Sequence, residues 1–147
     1  MATPRDIFVD NDIAKNFANP LDPHYKDFIY WLQKKGCLVI SNKILVEYGR
    51  TCSGCSSLTN ILAIISHLQK DNRLIKITND QLKEFVFPSK VERKLHSHVK
   101  DHDHIKTVIL SFRKYAISRE WCVCHDINNY PGHNARAARR PQDIPYN

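Results

Sequence analysis

The feature that most constrains this chain is the run Cys37-Leu38-Val39-Ile40, apolar throughout and set between segments of helical period. A strand with one wet face alternates polar and apolar residues. One without alternation is covered on both faces, which in a small domain points to a parallel sheet between helices. The flanking sequence agrees. Tyr25, Phe28, Ile29, Trp31 and Leu32 recur at three and four positions between Asp22 and Lys35, and Gly36 stands where that helix must stop. Ser41 is placed to cap a further helix from Asn42 to about Arg50. Earlier, Ile7 to Val9 form a short apolar run ending in Asp10, and Asp12 with the turn at Pro20 leads on towards the helix.

The alternation continues towards the C-terminus. Leu58, Ile61, Leu62, Ile65 and Leu68 give Ser57 to Lys70 helical period, Leu74 to Thr78 reads as a third strand, and a short helix through Phe85 ends before Pro88. Asp101 is a candidate N-cap for an amphipathic helix bearing Ile105, Val108, Ile109 and Phe112. Trp121 to Cys124 is expected as the last strand, running into Asp126. This order predicts an α/β fold, a three-layer α/β/α sandwich whose central, mostly parallel sheet has four or five strands. Residues 1–130 are expected to form the domain. Residues 131–147, rich in Pro, Asn and Arg and including Arg136, Arg139 and Arg140, are expected to be a basic surface tail.

A length of 147 residues suffices for one core without disulfides. The formal charge of +7 favours a polyanionic partner, nucleic acid being the commonest for a chain of this size. No apolar stretch approaches the roughly 20 residues of a membrane span, and no signal-peptide pattern precedes the first strand, so a cytoplasmic location is expected. Cys37, Cys52, Cys55, Cys122 and Cys124 are odd in number and lie in apolar segments, and are read as free thiols in a reducing compartment.

Ligands of open parallel sheets bind outside the carboxyl ends of the strands, where Asp10 and Asp126 are expected. Glu47 lies in the helix after the second strand and Asp103 in the first turn of the helix before the last one. Carboxylates gathered in one pocket repel one another unless a cation sits among them, and a hard divalent ion such as Mg²⁺ or Mn²⁺ suits oxygen ligands. Such an ion can activate water and stabilise a leaving oxygen, which is the chemistry of phosphodiester hydrolysis.

Over residues 7–130 the chain resembles the PIN-domain nucleases, which include toxins of bacterial toxin–antitoxin modules. The resemblance rests on Ile7-Phe8-Val9-Asp10-Asn11-Asp12, Ile44-Leu45-Val46-Glu47, Asp103-His104-Ile105 heading a helix, and Cys124-His125-Asp126. It implies a metal-dependent endoribonuclease in which Asp10, Glu47, Asp103 and Asp126 hold Mg²⁺ or Mn²⁺, with Asp12 as a further candidate ligand. RNA, an antitoxin protein and a homodimeric state are the partners it implies.

Other readings stand beside this one. Asp10 and Asp103 can serve as turn, cap or helix-dipole residues, and Asp101 competes with Asp103 for the same role. Asp80 reads as a helix-start residue. The histidines between His96 and His104 make a polar loop or a zinc site, and His104 and His125 are candidates to border a substrate groove. Cys52, Cys55, Cys122 and Cys124 are packing residues or a Cys₄ zinc site. A catalytically degenerate nucleic-acid-binding module and a zinc-binding regulatory protein are therefore the alternatives to a nuclease.

Overall fold

The computed structural model describes residues 4–147. Five short parallel strands, β1 (Asp6–Val9), β2 (Cys37–Ile40), β3 (Leu74–Lys76), β4 (Tyr115–Ile117) and β5 (Arg136–Ala138), form one sheet in the order β3-β2-β1-β4-β5. The helices are α1 (Asn11–Ala14), α2 (Pro23–Lys34), α3 (Asn42–Cys52), α4 (Ile61–Lys70), α5 (Asn79–Glu84), α6 (Ser89–Glu92), α7 (His102–Leu110) and α8 (Trp121–Asn128). Single 3-10 turns precede α7 at Val99–Asp101 and follow β5 at Pro141–Asp143. The architecture is the three-layer α/β/α sandwich expected.

The unalternating strands lie where their composition requires. Ile7, Phe8 and Val9 of β1 and Leu38 and Val39 of β2 are fully buried, with Phe8 opposite Val39 on one side and Ala116 on the other. Helices α1 to α4 pack on one another as one group, while α7 packs against β1, β2, α5 and α8. Local chemistry fixes the starts of these helices. Asp22, Ser41, Asn60 and Thr78 each accept a backbone N–H as N-caps, and Thr78 with Gln81 completes a reciprocal capping box. Gly36 ends the turn after α2 because Trp31 leaves no room for a side chain: a Cβ there would lie 2.7 Å from the indole ring.

Two segments depart from expectation. Trp121 to Cys124 is the start of α8, not a strand; its buried residues Val123, Cys124, Asp126 and Ile127 follow helical spacing, and the strand preceding it is Tyr115–Ile117. The segment expected as a tail is built into the fold. Arg136–Ala138 pairs in register with Tyr115–Ile117, and Tyr146 packs edge-on against Phe28 and Trp31, with ring centroids at 4.9 and 5.0 Å. Backbone pairing and one aromatic anchor outweigh the polar composition that suggested a tail.

Chain direction across the sheet decides where a ligand would bind. From β1 the chain builds outward through β2 to β3 on one side and, later, through β4 to β5 on the other. The carboxyl ends of β1 and β4 therefore flank the topological switch point, the crevice where parallel α/β sheets bind ligands.

Candidate metal centre at the end of β1

Asp10 follows β1 directly, its backbone N–H donating to the Ile117 carbonyl at 2.9 Å, so the ends of β1 and β4 are locked together. One carboxylate oxygen caps α1 by accepting from Asn11 N–H at 2.8 Å, and the other accepts from Ser118 Oγ at 2.7 Å. Helix α3 brings Glu47 to the same place. Its orientation is set by Tyr48, a fully buried residue whose hydroxyl donates to the Val9 carbonyl, and by Asn11 Nδ2 donating to Thr51 Oγ1 at 2.8 Å. Burial, then the neighbouring Asp10 and Glu47 carboxylates, hold the Tyr48 hydroxyl well above its ordinary range, so it remains a donor. Helix α7 supplies His104, 1% exposed, whose Nε2 lies 2.5 Å from Glu47 Oε2.

Ligand atoms of Asp10, Glu47 and His104 all lie within 4.8 Å of one another. Among the described residues this is the only group of three or more His, Cys, Asp or Glu side chains so arranged, and it contains no cysteine. The donor set of two carboxylates and an imidazole fits a divalent cation. His104 Nδ1, buried and without a hydrogen-bond partner, marks a polar position the protein leaves unsatisfied.

Around this trio a cavity of about 350 Å³ is lined by the carboxylates Asp10, Asp12, Glu47, Asp101 and Glu120 and by Lys15, Lys43 and Lys100. Lys43 Nζ donates to the Lys100 carbonyl and so ties the start of α3 to the turn before α7. The acids perturb one another. Asp12 is pushed up to about 6, first by burial and then by Asp10 and Glu120, against the stabilising Arg119 N–H that its carboxylate accepts. Glu47 moves the opposite way. Burial alone would raise it, but the His104 hydrogen bond and the nearby charges of His104, Lys43 and Arg50 outweigh that and lower it. Neighbouring acids pushed in opposite directions are a mark of sites that bind ions or move protons.

Of the residues expected from sequence, Asp10 and Glu47 meet in the trio, and Asp12 stands beside it. Asp101 lines the cavity and Asp103, in the first turn of α7, does not, while His104 of the same turn joins the trio. Asp126 is elsewhere. It lies 3% exposed within α8, accepting His96 N–H at 2.8 and 3.0 Å, Ser97 N–H at 2.8 Å and Ser97 Oγ at 2.5 Å. Those donors engage both of its oxygens. The place expected for Asp126, just after a strand at the switch point, is held by Glu120, three residues past the end of β4. Glu120 escapes the sequence reading because Tyr115–Ile117 is not recognised there as a strand and the acid stands three positions beyond its end.

No family model, curated protein or solved structure matches this chain. The site's chemistry therefore rests on its own geometry. No helix among the described residues is long and apolar enough to cross a membrane.

Proposed function

We propose that this chain is a PIN-like, Mg²⁺- or Mn²⁺-dependent endoribonuclease. The observation that carries the proposal is the convergence of Asp10, Glu47 and His104 at the sheet's switch point, ringed by Asp12, Asp101 and Glu120. Asp10, Glu47 and His104 would hold the cation, which when bound supplies Lewis acidity toward a phosphodiester and its attacking water. Asp12, pushed up to about 6, is suited to accept a proton near neutral pH. Lys15, Lys43 and Lys100 on the rim offset the acids and attract the phosphate backbone. The resemblance in sequence extends the proposal to a toxin held in check by an antitoxin, and to a homodimer.

The experiment is cleavage of a single-stranded RNA by the purified chain with Mg²⁺, with Mn²⁺ and with chelator, alongside Glu47→Gln. Cleavage that requires the cation and falls at least about 100-fold in the variant supports the proposal, since loss of a supporting residue alone costs 10–100-fold. Cleavage unaffected by chelator overturns it.

One observation favours a second reading. The imidazole of His104 lies against Glu47 at 2.5 Å, where a protonated ring would offset one of the two carboxylate charges with no ion present. The chain would then be a nucleic-acid-binding module without hydrolytic activity. Calorimetric titration with Mn²⁺ separates the two, because that module would bind RNA and no cation.

A further inference from the structure

A second cavity, of about 790 Å³, lies along the later part of α8 on a different set of residues, including Lys90, Arg93, Lys94, His96, His125 and Tyr130. Its walls combine aromatic surface with cationic charge. His125 stacks on Trp121 at a centroid distance of 4.9 Å with the planes 17° apart, and His96 stands edge-on to both, at 4.3 Å from His125 and 5.8 Å from Trp121. Trp121 is 56% exposed, so this aromatic ladder ends in an indole open to solvent.

The cations are free to act. Among the described residues Lys90, Arg93 and Lys94 have no carboxylate partner. The one acid on the wall, Asp126, is occupied by the hydrogen bonds from His96 and Ser97. Its burial thereby gains a reason: it fastens the His96 segment to α8 and holds the rings of His96 and His125 in contact. Helix α8 links the two regions, because Glu120 at its N-cap lines the acidic cavity while His125 and Asp126 further along it line the second one, with Trp121 between them in sequence.

We infer that this cavity and the Trp121 face form a docking track for single-stranded nucleic acid, seating nucleotides next to the scissile one. Bases stack on Trp121 and the histidine ladder, and phosphates meet Lys90, Arg93 and Lys94. Flat rings able to accept any base, next to unpaired cations, are what sequence-tolerant single-strand binding requires. A duplex keeps its bases stacked on one another and cannot offer them to Trp121. This inference rests on the reading of the neighbouring site as one that cleaves RNA, but it concerns binding and is testable with cleavage suppressed.

The test uses the full chain in chelator with a fluorescein-labelled single-stranded RNA of about ten nucleotides, read by anisotropy, against the same strand in duplex form and against AMP. Trp121→Ala is expected to weaken single-strand binding about tenfold or more, the loss that removal of one stacked base produces, and Trp121→Phe to restore most of it. Replacing Lys90, Arg93 and Lys94 together by Ala is expected to lower the slope of log affinity against log salt by roughly 2, at about 0.7 per phosphate. Unchanged affinity in Trp121→Ala, equal affinity for the duplex, or AMP binding as tightly as the oligonucleotide would each overturn the track. Cleavage assays with Mg²⁺ on the same proteins separate the two ideas. Trp121-dependent binding without cation-dependent cleavage refutes the nuclease reading and leaves the track, whereas cleavage with Trp121-independent binding refutes the track alone.

Discussion

Asp10 and Asp126 are buried to a similar degree, at 7% and 3% exposure, yet their oxygens face opposite kinds of neighbour. Asp126 meets donors: the N–H groups of His96 and Ser97 and the Ser97 hydroxyl. Asp10 has two donors, Asn11 N–H and Ser118 Oγ, and otherwise faces Glu47 and the His104 ring. Asp6, fully buried at the opposite end of β1, behaves like Asp126, each of its oxygens accepting an N–H at 2.9 Å, from Phe112 and Arg113. A carboxylate filled by fixed donors fastens loops together. One held among other acids stays available for a cation or a proton, at a cost in stability that only function explains.

The widest separation between the two classes is expected from paired substitutions. Asp10→Asn should reduce cation-dependent cleavage by at least about 100-fold while leaving the fold intact, because an amide still accepts from Asn11. Asp126→Asn should instead turn a donor toward donors and cost roughly 1.5–3 kcal/mol in urea denaturation, with Mn²⁺ affinity unchanged. If Asp126→Asn abolished Mn²⁺ binding in protein that remains folded, the distinction between fastening and ligating carboxylates would fail here. A smaller effect is expected at the cavity rim, where Glu120→Gln should weaken Mn²⁺ about tenfold by calorimetry, as loss of a supporting carboxylate does.

The pH behaviour of Asp12 sharpens the contrast further. Its folded-state value of about 6 exceeds the ordinary 3.8, so between these limits the folded protein binds more proton than the unfolded chain. The contribution of this group to stability is therefore fully present below about 4 and is lost as pH rises through about 6. Carbon-detected NMR titration should place the Asp12 carboxyl near 6 in metal-free protein, and saturating Mg²⁺ should move it down. Glu47, lowered in the fold, contributes in the opposite sense, its stability being present above 4.5 and lost as pH falls through its folded value. The smallest effect is expected at Asp103, which lies outside the cavity: Asp103→Asn should change stability by less than about 0.5 kcal/mol and leave Mn²⁺ affinity as it was.

Much of this architecture was legible because it is written locally. Cys37–Ile40 lacks alternation, and it is a strand covered on both sides. Ser41, Asp22 and Thr78 are good caps, and each begins a helix. Asp10 and Glu47 could be selected because each follows or sits in an element whose period is plain over several residues. The last third was harder. Tyr115–Ile117 and Arg136–Ala138 are three-residue strands, too short for any period to show, and both owe their conformation to the neighbour they pair with. Trp121 to Cys124 alternates aromatic, thiol and branched side chains as a strand would, and only its packing as a helix reveals that Val123 and Ile127 share a face.

By itself, then, the amino-acid order determined the layer architecture, the parallel sheet, the basic character and two acids of the centre, since hydrophobic period and capping act within a few residues of each position. Tertiary structure alone decided that His104 completes the trio, that Glu120 rather than Asp126 stands at the end of β4, and that Asp126 fastens a loop. Those assignments depend on which groups meet across 57 residues, from Glu47 to His104, or 30, from His96 to Asp126. Whether a buried carboxylate meets N–H groups or other acids is a property of the folded surroundings, and no local pattern encodes it.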